Sequence, residues 1–197
     1  MMTTRTVTRT LFLVTLIFDL GVTGVWAEQT RVNMSFSGNG APSTINLQDP
    51  GTATNEENVA GNGTLGSFTF RNVTASEAAP SQQPPKSCSG ANQLYFTRTV
   101  GGGIFRFEDG SLLLVELTQG SDCIDLGALE GRCTLTLKVT GGTNRFSKAS
   151  GTLVYTEISK PVLADAFHQP VFFTETGRIV GTVVGVTVPD ESEDQRR

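Results

Sequence analysis

One histidine, His168, stands in 197 residues, and that scarcity removes much of the chemistry that side chains perform near neutral pH. A serine or cysteine hydrolase needs a base oriented by a third group. His168 is the only candidate of that type, and in LADAFHQPVFF it precedes Pro170 as a loop residue entering a strand. A His-based zinc site is excluded, because one His and three scattered Cys do not give zinc spacing. Charged residues make up only 17% of the chain and the basic ones are not clustered, which argues against nucleic acid and against an anionic membrane surface as partners. Helical periodicity is nearly absent; GALEGR can form one turn at most.

The one pronounced apolar run lies near the start. Arg5 and Arg9 form a basic n-region, Leu11 to Leu20 an apolar core interrupted by Asp19, and Val25 and Ala27 the small residues of a signal-peptidase site. Residues 1–27 therefore read as a secretory signal cleaved near Ala27. The run is shorter than the ~20 residues of a spanning helix, so the alternative of a retained anchor is the weaker one and the mature form has no membrane span. Removing Arg5, Arg9 and Asp19 leaves 13 basic and 18 acidic residues in residues 28–197. The one Trp, Trp26, leaves with the signal, so the mature protein should lack Trp fluorescence. Its expected place is extracellular or periplasmic, as one domain over residues 28–188 followed by a charged, disordered tail at 189–197.

Export permits disulfides. Cys88, Cys123 and Cys133 allow one bridge and one odd thiol. Cys123 and Cys133 flank a short connection between predicted strands, which makes them the expected pair, with Cys88 bonded to either one as the alternative. Closing that loop contributes roughly 2–3 kcal/mol in the chain-entropy model. No basic neighbourhood marks Cys88 as a nucleophile.

What the chain has in abundance is two-residue alternation. TLTLKV puts Leu135, Leu137 and Val139 on one face, and Asp109-Gly110 marks a tight turn between two strand-like runs. Eight or nine short strands punctuated by 22 glycines indicate an all-β sandwich or barrel. In the last strand Gly177, Gly181 and Gly185 fall on one side, alternating with Ile179 and Val183. Residues 75–92 read as a long irregular loop, and the Gly/Asn/Thr-rich residues 38–63 as a meandering one.

Carboxylates occur as local pairs: Glu56 with Glu57, Glu108 with Asp109, and Asp122 with Asp125. Adjacency on loops neither sets a separation nor raises a pKa, which acid–base catalysis requires. Asp122, Asp125 and Glu130 share one acidic loop but lack the regular spacing of a calcium loop, so the expectation is no metal site. Single inward groups such as Glu116, Tyr95 or Tyr155 would suit a barrel enzyme, though parity alone does not assign them. Asn33, Asn62 and Asn72 match the glycosylation sequon.

The most distinctive stretch is KVTGGTNRFSKASGTLVY, Lys138 to Tyr155. A phosphate loop would lead into a helix; here a strand-like segment follows and no G-K-[ST] ending occurs. Gly141, Gly142 and Asn144 instead supply unusual backbone angles for a hairpin connection, and Phe146 and Ala149 can share one side of a single turn, with Phe146 plugging a barrel end. GGTNRFSKASG, Gly141 to Gly151, resembles the GGTGxFxxAxG signature of the allene oxide cyclase and dirigent barrel superfamily, with Asn144 where glycine is usual. The resemblance covers roughly residues 93–188. It implies an all-β fold, an eight-stranded antiparallel β-barrel with a hydrophobic central cavity, often self-associating, here with long N-terminal loops. The expected function is that of a secreted, cofactor-free barrel binding a small apolar or amphipathic ligand or serving as an extracellular interaction module. An allene oxide cyclase-like isomerase and a structural envelope protein are the alternatives. No catalytic or ligand residue is carried over from the family.

Overall fold

The computed structural model describes residues 28–43, 52–166 and 170–187; the expected signal, His168 and the charged tail lie outside them. The described residues form eight strands: β1 (Gln29–Ser43), β2 (Thr52–Gly63), β3 (Phe68–Glu77), β4 (Gln93–Phe107), β5 (Leu112–Asp125), β6 (Glu130–Gly142), β7 (Ser150–Ala164) and β8 (Pro170–Val184). Each pairs antiparallel with its chain neighbour, and β1 pairs with β8, so the sheet closes into a barrel and leaves no edge. This is the eight-stranded antiparallel architecture implied by the resemblance of residues 141–151. Among the described residues no helix is long and apolar enough to cross a membrane.

Alternation produces the barrel directly. Val32, Met34 and Phe36 of β1 are buried while Arg31, Asn33 and Ser35 are exposed, and β6 repeats the pattern with Cys133, Leu135, Leu137 and Val139 inside. Phe68, Phe70, Phe105 and Phe107 line one side of the interior, with Phe70 and Phe105 stacked at 4.0 Å between centroids. They sit toward the end closed by the β2–β3, β4–β5 and β6–β7 connections.

Phe146 closes that end. It is fully buried and its ring lies 4.9 Å from Phe107. The preceding turn holds Gly141 at φ 138° and Asn144 at φ 51°, so asparagine takes the left-handed angle that glycine would otherwise supply. A Cβ on Gly142 would stand 2.1 Å from the Leu112 carbonyl oxygen and 2.7 Å from the Phe146 Cβ, and so no larger residue fits under the plug. Gly151 then stands opposite Val139 of β6 and Val183 of β8 at the start of β7. Arg145 locks the turn from outside, donating to the Leu65 carbonyl at 2.7 Å and pairing with Asp109 at 2.8 Å.

Two expectations are corrected. Much of the stretch 38–63 is not a loop, because residues 38–43 extend β1 and residues 52–63 form β2. Gly38, Gly40 and Gly61 stand where neighbours crowd: a Cβ on Gly61 would meet the Ser35 carbonyl oxygen at 1.9 Å. Low hydrophobicity there reflects close packing rather than irregular chain.

The disulfide joins Cys88 to Cys123, not Cys123 to Cys133. Asp122 pairs with Cys133 and Cys123 with Arg132 across β5 and β6. The two cysteines are thus one residue out of step and project from opposite faces of the sheet. Cys133 points into the core and is free; Cys123 points out and fastens the 3-10 turn Lys86–Cys88 of the β3–β4 connection. The bridge spans 35 residues, a closure that contributes about 4 kcal/mol in the chain-entropy model. Alkylation without reductant should label no cysteine in the native protein and Cys133 alone in denaturant. Labelling of Cys88 or Cys123 under either condition would disprove the bridge.

Candidate functional site

Beyond the aromatic layer the inward positions turn polar. On β2 the inward series runs from Val59 to Glu57, on β3 from Phe70 to Asn72 and Thr74, on β7 from Leu153 through Tyr155 to Glu157, and on β8 from Ile179 through Gly177 to Glu175. All of these except Gly177 are buried. They form the half of the interior toward the β3–β4 and β5–β6 connections, away from the Phe146 plug.

Irregularities aim the remaining groups. The β3–β4 pairing slips between Ala75 and Ser76, and the β5–β6 pairing slips between Leu117 and Gln119. Each slip changes which side chains face inward. Arg98 and Asp122 both end up inside. A Cβ on Gly120 would lie 2.8 Å from the Arg98 Cβ, so that glycine gives the arginine its path. Gly40 does the same for an acid, since a Cβ there would lie 2.2 Å from Glu175 Oε1.

Arg98 anchors the cluster. Its Nε and Nη2 donate to the two oxygens of Asp122 at 2.6 and 3.0 Å, Nη1 donates to Thr74 Oγ1, and Nη2 lies 3.8 Å from Glu57 Oε1. Burial works against its charge, but Asp122, with help from Glu57, outweighs it and raises the guanidinium pKa well above the ordinary value. Asn72 Nδ2 donates to Glu57 Oε2 at 2.8 Å, and the Tyr155 hydroxyl donates to Glu157 Oε2 at 2.6 Å. The Tyr155 ring is stacked on Phe36, 4.6 Å between centroids.

Three glutamates exceed what one arginine can compensate. One carboxylate oxygen from each of Glu57, Glu157 and Glu175 lies within 4.8 Å of the others. Burial, opposed by Arg98, raises Glu57. Burial and then the Glu57 charge push Glu157 up to about 8. Burial, then Glu157 and Glu57, push Glu175 up to about 10. The same two influences, burial and Glu57, raise Tyr155 well above the ordinary phenol range; burial and Asp122 raise the Cys133 thiol. Near neutral pH these shifts keep Glu157 and Glu175 protonated. Both Glu175 oxygens, Glu57 Oε1 and Asn72 Oδ1 have no hydrogen-bond partner among the described residues. Leaving such groups buried and unpaired costs about 1–3 kcal/mol each. An interior that stabilised only the fold would not keep them.

The candidates read from the sequence divide accordingly. Tyr155 is in the site. Glu116 is exposed on the outer face of β5, and Tyr95 is half-buried on β4. Asp122, Asp125 and Glu130 do not converge: Asp122 faces inward, Asp125 accepts from the Gly127 and Ala128 amides, and Glu130 pairs with Arg132. Glu56 points outward to Ser43 and Arg71 while its neighbour Glu57 points in. Of the sequon asparagines, Asn33 and Asn62 are exposed and Asn72 is buried in the cluster. Glu157, Glu175 and Arg98 were not singled out. For the two glutamates the signal is parity, because Glu157 shares the side of Leu153, and Glu175 that of Ile179 and Val183; parity does not place Arg98.

No protein-family model matches the chain, and no curated protein matches it. Among solved structures it is similar to the pterocarpan synthase dirigent protein PsPTS1, with 12% identity over 82% of this chain and 97% of that one and a TM-score of 0.41. It is likewise similar to the pterocarpan synthase dirigent protein GePTS1, with 10% identity over 81% of this chain and 93% of that one and a TM-score of 0.37.

Proposed function

We propose that the chain is a secreted barrel that binds one small amphipathic molecule through the polar half of its interior. The observation that carries this reading is the set of buried oxygens on Glu57, Glu175 and Asn72 that accept no hydrogen bond among the described residues and face the same interior as the aromatic wall. A molecule with a hydrogen-donating head and an apolar body would satisfy the oxygens and lie against Phe36 and Phe70. An eight-stranded barrel has room for side chains or for one small ligand, so size favours a compact molecule over a chain or polymer. The Cys88–Cys123 bridge supports an oxidising compartment. Ile158, Val162, Leu163 and Val171, exposed on β7 and β8, offer an apolar outer strip for self-association.

A second reading, a cofactor-independent isomerase or cyclase, is favoured by the Tyr155–Glu157 contact. A carboxyl that titrates near 8 and is oriented by a phenol is suited to donate and recover a proton near neutral pH. A purely structural role is disfavoured, because it calls for a filled, self-satisfied interior.

Native mass spectrometry of protein taken from its own secretion medium tests the reading. A bound small molecule of defined mass is expected, lost from Glu175→Gln and retained by Glu116→Gln. A clean apo mass from fresh medium would count against both binding and catalysis. If Glu157→Gln keeps the molecule bound but stops its conversion, the catalytic reading replaces the binding one.

A further inference from the structure

Three glutamate side chains converge on one point of the interior, and a cation taking their oxygens would displace the protons that Glu157 and Glu175 hold. Glu57, Glu157 and Glu175 come from three different strands, and each is no more than 5% exposed. Their converging oxygens lie within 4.8 Å of one another. Calcium takes oxygens at about 2.3–2.6 Å, so two ligands on opposite sides of one ion stand about 4.6–5.2 Å apart and adjacent ones closer. The cluster therefore already has the span of a single coordination sphere.

The open valences agree. Arg98 is committed to Asp122 and Thr74, reaching Glu57 only at 3.8 Å. Glu175, 1% exposed, has neither oxygen hydrogen-bonded, and Glu57 Oε1 and Asn72 Oδ1 likewise accept no hydrogen bond among the described residues. Asn72 stands opposite Glu57 in the β2–β3 pairing, so a neutral amide oxygen is available on the adjoining strand. Every donor is oxygen, the ligand type of hard cations rather than of zinc or copper.

We propose that Glu57, Glu157 and Glu175 form a binding site for one divalent cation of the calcium kind, with Asn72 Oδ1 as a further oxygen ligand. The expectation of no metal, drawn from the absence of a contiguous calcium loop, misses this arrangement because its ligands lie on four separate strands, β2, β3, β7 and β8, and meet only when the barrel closes. Three carboxylates against a divalent ion leave one negative charge, and Arg98 is within reach of it. The Arg98–Asp122 pair thus becomes the outer partner that holds Glu57 in place. The inference draws on the same oxygens as the small-molecule reading, and the occupant tells them apart: calorimetry on stripped protein reads the cation, native mass spectrometry the small molecule.

The test uses the full chain stripped with EDTA and titrated with calcium, magnesium or manganese chloride. One calcium per chain is expected by calorimetry. The thermal midpoint should rise by about 5–10 °C at a hundredfold excess over the dissociation constant. Glu175→Gln should weaken binding at least tenfold, whereas Glu116→Gln, on the exposed face of β5, should not. Should Glu175→Gln fail to fold, terbium serves as a calcium stand-in on the unmutated protein. Its emission should be sensitised by the Tyr155 phenol, whose oxygen lies 2.6 Å from Glu157, displaced by calcium, and lost in Tyr155→Phe. Absence of saturable binding at millimolar calcium, or weak multi-site binding that Glu175→Gln does not change, would overturn the proposal.

Discussion

Replacing Arg98 with methionine should destabilise the protein by about 3–5 kcal/mol, far beyond the loss of a surface ion pair. Among the described residues the guanidinium is the buried cation, 7% exposed, and it holds Asp122 through two hydrogen bonds while standing 3.8 Å from Glu57. Methionine replaces much of its volume but leaves Asp122 buried without a counter-charge, and that uncompensated charge is what carries the cost. The companion change locates the effect. Asp122→Asn alone removes the partner but spares the cation, which keeps Glu57 and Thr74 as neighbours. Arg98→Met with Asp122→Asn removes both charges, so the double variant should lose less than the two single losses combined, with a coupling of about 0.5–3 kcal/mol. Urea unfolding at neutral pH measures all three. A loss below about 1 kcal/mol for Arg98→Met would mean that water reaches the pair and that the barrel is open at this end.

The two ends of the barrel were unequally legible in the sequence. The Phe146 plug was readable because its elements are local. A glycine pair, an asparagine with φ 51° and an aromatic three residues before Ala149 lie within eleven residues, and their steric demands act on one another directly. The strand faces were readable too, since Leu135, Leu137 and Val139 declare their side by alternation. What alternation does not carry is the neighbour across the barrel. Glu57, Glu157 and Glu175 each look like an ordinary polar residue within a strand. Their identity as a cluster depends on closure of β1 onto β8 and on the stagger of the strands. Arg98 was harder still, because register slips beside it reset the parity that would have been counted from Phe105.

The disulfide failed for a related reason. Closeness in sequence favoured Cys123 with Cys133, and the hairpin does bring their strands together. A one-residue offset turns them to opposite faces, and only the β3–β4 connection presents a third thiol on the outside. Stagger, not proximity, decided both outcomes.

Stability in EDTA should fall steadily as pH rises from about 5 to 8, the reverse of what most carboxylate-rich proteins do. The folded state holds Glu157 with a pKa of about 8 and Glu175 with one of about 10, against an ordinary 4.5 once unfolded. Groups whose folded pKa is raised contribute stability that is fully present below the unfolded value. It is lost as pH climbs through the folded one, because the native state binds protons that the unfolded chain has released. Each such proton gives a slope of about 1.4 kcal/mol per pH unit. The groups facing this pair are Glu57, Asp122, Arg98, Tyr155 and Cys133; the Tyr155 hydrogen bond to Glu157 and the Arg98 charge favour ionisation, and burial with the neighbouring acids outweighs them. Glu56, Asp109 and Asp125 act in the opposite sense. Hydrogen bonds from Ser43 and Arg71 lower Glu56; Asp109 is lowered, against burial, by hydrogen bonds from Ser111; the Ala128 amide lowers Asp125. Their contribution is present above the unfolded pKa and is lost in acid, so the stability maximum should fall near pH 5 rather than at neutrality. Glu175→Gln substitutes a permanently neutral side chain of the same shape for a proton-holding acid. It should be more stable than the parent at pH 8 and, with one of two protons removed from the linkage, show about half the slope. Urea midpoints taken across that range in EDTA decide the matter. A flat or rising profile would mean that Glu157 and Glu175 ionise in the native protein, and with that the interior would have to be wet.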